Sequence, residues 1–117
     1  MTRGGTARLE RRGAPRAAAR LEAAYEDVDR QIFVHAADLS EDGIFLLAPD
    51  PPQTGVVAQV TFELPGHPAI LRLLGTVARR VAGGPPVGFA VRFDREAMSG
   101  DARTALRRFV ASQLSHE

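Results

Sequence analysis

Between Val56 and Phe93 the chain alternates apolar and polar residues with a period of two, and only turn-forming residues interrupt it. Val56, Ala58, Val60, Phe62 and Leu64 alternate with Val57, Gln59, Thr61 and Glu63. After Pro65-Gly66-His67-Pro68, Leu71, Leu73, Val77 and Val81 fall on one face, with Arg72, Thr76 and Arg80 on the other. Gly83-Gly84-Pro85-Pro86 forces a second reversal, and Val87, Phe89, Val91 and Phe93 then alternate with Gly88, Ala90 and Arg92. A strand turns successive side chains to opposite faces, so each of these segments has one face to bury.

The first half carries the same signals in shorter pieces. Asp27-Val28-Asp29-Arg30 reads as a hairpin turn, Ile32–Ala36 as a strand, Asp38–Gly43 as a turn and Gly43–Leu47 as another strand. Ala48-Pro49-Asp50-Pro51-Pro52 is a rigid loop. Ala17–Glu26 is open between two readings: its alanines favour helix, while Ala17, Ala19, Leu21, Ala23 and Tyr25 alternate as in a strand. Residues 1–16, broken by Gly4-Gly5 and Gly13-Ala14-Pro15, read as a flexible arm. Six short strands favour a small antiparallel barrel, because closing the sheet removes its edges. Residues 99–114 switch to a helical period, with Ala102, Leu106, Phe109, Val110 and Leu114 on one face and Arg103, Arg107 and Arg108 on the solvated one. Ser99 is the expected N-cap, Asp101 suits the first turn, and the helix is expected to lid one end of the barrel.

At 117 residues the chain accounts for one domain. It has no cysteine, so disulfides and cysteine metal sites are excluded. Its N-terminus does not resemble a signal peptide, and no apolar run approaches the ~18 residues of a membrane span, so a soluble cytoplasmic domain is expected, without membrane insertion. All 15 basic residues are arginine, which removes a lysine-dependent phosphate loop and Schiff-base chemistry. His35, His67 and His116 lack metal-ligand spacing, and His35, Asp38 and Ser40 are too close along the chain to converge as a catalytic triad. No catalytic residue and no metal ligand is therefore assigned.

The net charge of +1 is unevenly spread: residues 1–20 hold six arginines against Glu10, a balance of +5, whereas the rest hold nine arginines against 13 carboxylates, a balance of −4. A basic arm on an acidic body suits an anionic ligand held where the two meet. Two stretches specify it. Arg11-Arg12-Gly13-Ala14-Pro15-Arg16 packs three guanidinium groups into six residues, and Asp38-Leu39-Ser40-Glu41-Asp42-Gly43 places a carboxylate, a hydroxyl and a glycine in one turn. Arginine forks match phosphates and the acceptor edge of guanine, while an aspartate accepts from guanine's N–H edge. These residues also admit a plainer use: Asp38 and Ser40 can cap a turn through their own backbone, and Gly43 can supply positive φ. DNA or RNA is the weaker partner, since the body is acidic and offers few aromatics for stacking.

Arg12-x-x-x-Arg16, then Asp38-x-Ser40-x-x-Gly43 some 22 residues later, then Val87-Gly88-Phe89-Ala90-Val91-Arg92-Phe93 and a terminal helix, together resemble a PilZ domain from about Glu10 to about Leu114. The resemblance implies a mainly β fold: a six-stranded antiparallel PilZ-type barrel over residues 17–117 with a C-terminal helix, and residues 1–16 as the arm carrying the RxxxR motif. It also implies a non-enzymatic receptor or adaptor for the bacterial second messenger cyclic di-GMP, with no cofactor besides that ligand. Arg12 and Arg16, with Arg11 before them, would hold phosphates and the guanine O6/N7 edge. Asp38 would accept from guanine N–H, Ser40 would bond a phosphate or base, and Gly43 would allow close approach. A downstream protein partner is expected. The alternative is a PilZ-like interaction module of motility or polarity machinery that does not bind the nucleotide. Glu41 and Asp42 add two carboxylates beside a dianionic ligand and weaken binding if they point inward.

Overall fold

The alanine-rich segment is a strand. In the computed structural model, which describes residues 17–67 and 69–114, β1 (Ala17–Glu26) pairs antiparallel with β2 (Gln31–Leu39). From Ala23 onward it also pairs with β4 (Val57–Glu63). Helix propensity differs among ordinary residues by only tenths of a kcal/mol, and the pairing with β2 along the segment, joined by β4 from Ala23, outweighs it. Leu21, Ala23 and Tyr25 are buried, the alternation of a strand.

β3 (Gly43–Leu47), β5 (Ile70–Val81) and β6 (Gly88–Phe93) complete a closed antiparallel barrel in the order β1-β2-β3-β6-β5-β4. Only Ala17–Glu22 of β1 has β2 as its sole ladder partner. Because β3 neighbours β6, the chain must cross from β3 to start β4 beside β1. The proline-rich loop makes that crossing, with Pro51 and Pro52 buried. Arg30 Nη1 donates to Asp50 O at 2.7 Å, and Arg80 Nε and Nη2 donate to Pro51 O at 3.3 and 3.1 Å.

Three ladders are irregular: β1 against β2 between Ala18 and Leu21, and two others that bear on the site. β2 is irregular against β3 between Ala36 and Asp38, and β5 against β6 between Val77 and Arg79. A single inserted residue exchanges the faces of everything after it. Ile32, Val34 and Ala36 face the core, so strict alternation would send Asp38 inward; the bulge at Ala37 turns it outward, opposite Phe45. The bulge at Ala78 likewise turns Arg79 outward opposite Ala90 and sets Arg80 opposite the core residue Phe89. This corrects the faces expected for Arg80 and Val81: Arg80 comes to the inner side at the mouth of the barrel, where it reaches Pro51 O.

α1 (Gly100–Leu114) follows a 3-10 turn at Arg95–Ala97. Ser99 caps it as expected: Ala102 N donates to Ser99 Oγ at 3.1 Å, and Arg103 N to Ser99 O at 3.1 Å. Ala102, Leu106, Phe109 and Val110 enter the barrel core on the side of β1. Among the described residues no helix is long and apolar enough to cross a membrane.

The β1–β2 hairpin is fixed by Asp27, which accepts from Asp29 N at 2.7 Å, Arg30 N at 2.9 Å and the Tyr25 hydroxyl at 2.5 Å. Tyr25 is fully buried, its ring edge-on to Phe89 at 5.1 Å. Burial and the neighbouring Asp27 carboxylate drive the Tyr25 hydroxyl well above its usual titration range. Desolvation acts against the charged form of Asp27. The Tyr25 hydroxyl, the two N–H groups and the Arg30 charge outweigh it and hold the carboxyl below the usual range.

Removing these bonds by Asp27→Ala is expected to cost about 1–2 kcal/mol at neutral pH. Because the folded carboxyl is the stronger acid, its contribution is complete above about pH 4 and fades as pH falls through the folded value. Thermal melts of wild type and variant should therefore differ clearly at pH 7, and the difference should shrink as pH falls below the usual carboxylate range. A second fold prediction concerns Gly43, where a Cβ would stand 2.5 Å from the Val91 carbonyl oxygen of β6. Gly43→Ala is expected to lower stability by about 1–3 kcal/mol, read as a fall in midpoint temperature of several degrees.

Candidate functional site

The turn between β2 and β3 is built on Ser40. Ser40 is 1% exposed; its Oγ accepts from Asp42 N at 3.1 Å and Gly43 N at 3.2 Å, while Ser40 N donates to Gly43 O at 2.9 Å. The hydroxyl is thus spent on its own turn, as the plainer reading of this motif had it, and is not presented to the outside. Gly43 has no positive φ either. It is held to glycine by the closeness of β6, whose Val91 carbonyl oxygen fills the space a Cβ would take.

Ladder partners share a face, so the registers define a row across the outside of the barrel: Asp38, Phe45, Ala90, Arg79. Gly43 and Arg92 form the next row. Over these rows lies a cleft of about 600 Å³, lined among others by Asp38, Asp42, Arg79, Arg92 and Arg95. Three guanidinium groups against two carboxylates leave it an excess of positive charge, with donors along β5, β6 and the 3-10 turn and an acceptor at Asp38. Such a site takes an anion that also carries N–H donors.

Both extra carboxylates of the turn face cations. Glu41 Oε1 lies 3.4 Å from Arg107 Nη2 on α1, so that helix face is not wholly solvated. Asp42 Oδ1 lies 3.8 Å from Arg95 Nη1, within the cleft. The turn is also tied to the end of β6 through its backbone, Phe93 N donating to Asp42 O at 2.7 Å.

Of the residues singled out in the sequence, the structure gathers Asp38 and Gly43 at the cleft and sets Ser40 beneath it. Arg11, Arg12 and Arg16 lie outside the described residues. β1 begins at Ala17 opposite Leu39, so the chain enters the sheet beside the Ser40 turn. Arg79, Arg92 and Arg95 are additions. Arg92 was legible as the outward residue of an alternating strand, whereas Arg79 reaches the cleft only through a bulge that periodicity does not report.

On a different part of the outer surface, Phe33, 81% exposed, and Ile70, 57% exposed, flank a shallow groove of about 590 Å³ over Ala24 and Thr61. Glu22, Glu63 and His35 also line it.

No curated protein matches the chain. Among solved structures it resembles the Bacillus subtilis inhibitor of motility MotI/DgrA, with a TM-score of 0.77 and 17% identity over 92% of this chain and 52% of that one. It thus spans about half the length of that protein. It also resembles the PilZ domain of YcgR from Escherichia coli, solved with c-di-GMP, with a TM-score of 0.61 and 19% identity over 91% of this chain and 93% of that one. A third likeness is the PilZ domain of CeSA from a cellulose-synthesizing bacterium, with a TM-score of 0.59 and 17% identity over 86% and 98% of the two chains. Identities this low speak for the barrel and its helix. The PilZ domain family model, however, matches residues 10–112, nearly the whole sequence and both of its motifs, and the chain belongs to the PilZ domain family.

Proposed function

We propose that this chain is a non-enzymatic receptor for cyclic di-GMP that acts as a cytoplasmic adaptor, passing occupancy to a protein partner. The observation that carries the reading is the outer cleft in which Asp38 faces Arg79, Arg92 and Arg95. Asp38 accepts from the N1–H and N2–H edge of a guanine, and the arginines of the wall take phosphate oxygens. Arg12 and Arg16, with Arg11 beside them, precede a strand that starts next to the same turn; they supply the second set of forks, to phosphate and to O6/N7 of guanine. Ser40 serves by holding the turn, and Gly43 by letting β6 pack closely against it. In magnitude, charge-assisted bonds of about 1.5–3 kcal/mol each reach the ~8 kcal/mol of micromolar binding only in combination. Each contact should therefore matter.

The exposed Phe33 and Ile70 favour a protein-binding surface away from the cleft. It serves an adaptor, and equally the second reading, an interaction module that works without nucleotide.

Calorimetry with cyclic di-GMP, using GTP and the linear dinucleotide as controls, separates the two. Micromolar binding is expected, weakened about tenfold or more in Arg12→Ala and in Asp38→Ala. Absence of heat at about 100 μM ligand removes the receptor reading, since it puts affinity outside the range such contacts supply. Unchanged binding in Arg12→Ala leaves a receptor with a different site. Ser40→Ala, which orphans two turn N–H groups, should lower thermal stability by about 1–2 kcal/mol even without ligand.

A further inference from the structure

We propose that Asp42 is a built-in stand-in for a ligand phosphate: its carboxylate occupies Arg95 in the empty cleft, and an incoming phosphoryl group displaces it. The inference rests on the nucleotide reading of the cleft and concerns two residues outside the DxSxxG signature and the arginine motif.

The two carboxylates of the turn are neighbours in sequence but not equivalent in space. Asp42 lines the cleft and meets Arg95, which lines it too. Glu41 is turned to Arg107 on α1, and neither of those two residues lines the cleft. At 3.8 Å, with Arg95 63% and Asp42 37% exposed, the Asp42–Arg95 pair is long and solvated, the kind of ion pair that contributes little and exchanges readily. A phosphate oxygen offers the same guanidinium a shorter, charge-assisted contact. The backbone need not follow the side chain, because Asp42 O is held by Phe93 N and Asp42 N by Ser40 Oγ. Displacement is then a rotation of one side chain on a fixed turn. Its cost is that Asp42 stays close to the phosphate it has yielded to, and that repulsion sets a ceiling on affinity. Without the aspartate, Arg95 would stand uncompensated beside Arg92 and Arg79 and would draw in any anion. With it, any anion competes with a carboxylate already in place, which favours a ligand that makes further contacts.

Isothermal titration of the whole chain with cyclic di-GMP, and arginine Nε–Hε NMR with inorganic pyrophosphate, test this on four variants. Asp42→Asn should tighten both ligands about three- to tenfold, the size of one like-charge repulsion near a solvated surface. Glu41→Gln, which removes the same charge one residue away, should change affinity less than about twofold. Arg95→Gln should weaken binding about tenfold, and in that background Asp42→Asn should have no further effect, which makes the two residues one coupled unit. If Glu41→Gln tightens binding as much as Asp42→Asn, or the two substitutions at 42 and 95 act additively, the stand-in role is refuted while the receptor stands. If pyrophosphate follows the expected pattern and cyclic di-GMP does not bind, the receptor is refuted and the stand-in role survives. If neither ligand binds any variant, both fall.

Discussion

The site depends on two inserted residues. Ala37 and Ala78 each add one step to a ladder, and each reverses the facing of the residues that follow. Without the first, Asp38 would continue the inward series of Ile32, Val34 and Ala36 and bring a carboxylate into an apolar core, where an unpaired charge is very costly. Without the second, Arg79 would follow Leu73 and Val77 inward. Both bulges bring their charged residue into one outer row, with Phe45 and Ala90 between them. The gathering of arginines and a carboxylate in the cleft is therefore a property of strand register, and composition alone does not confer it.

The turn that follows Asp38 is stiff for reasons independent of any ligand. Its hydroxyl is consumed internally, its glycine is required by the carbonyl of the facing strand, and its last carbonyl-bearing residues are bonded to β6. A receptor gains from such a turn because little ordering remains to be done at the moment of binding. The same stiffness fixes two adjacent carboxylates in opposite directions, one toward the cleft and one toward the helix.

Much of this was legible in the sequence. The alternation of β4 and β6, the hairpin at Asp27, the Ser99 cap and the buried face of α1 follow from local chemistry that the tertiary structure leaves intact. Ala17–Glu26 was ambiguous because alanine suits either state and only pairing across the barrel decides. The faces of β5 beyond Val77 were misread because a bulge is invisible to periodicity, and with them went Arg79 as a cleft residue and Arg80 as the tie to the crossing loop. Ser40 shows the limit of a motif: its pattern marks a turn but does not tell that the hydroxyl is bonded to the turn's own backbone. The ion pairs of Glu41 and Asp42 join elements far apart in sequence, and nothing local announces them.

β1 is secured unevenly, and this bears on how the domain responds. From Ala23 it lies between two strands, but Ala17–Glu22 is held by β2 alone. Opening that half breaks one ladder where the other half of β1 must break two, so the local free energy of opening falls along the strand toward the Ser40 turn. The domain thus carries a gradient of cooperativity that ends where the arginine motif joins the sheet. Leu21, a core residue, lies in that singly held half, so a change in the order of that half reaches the barrel interior.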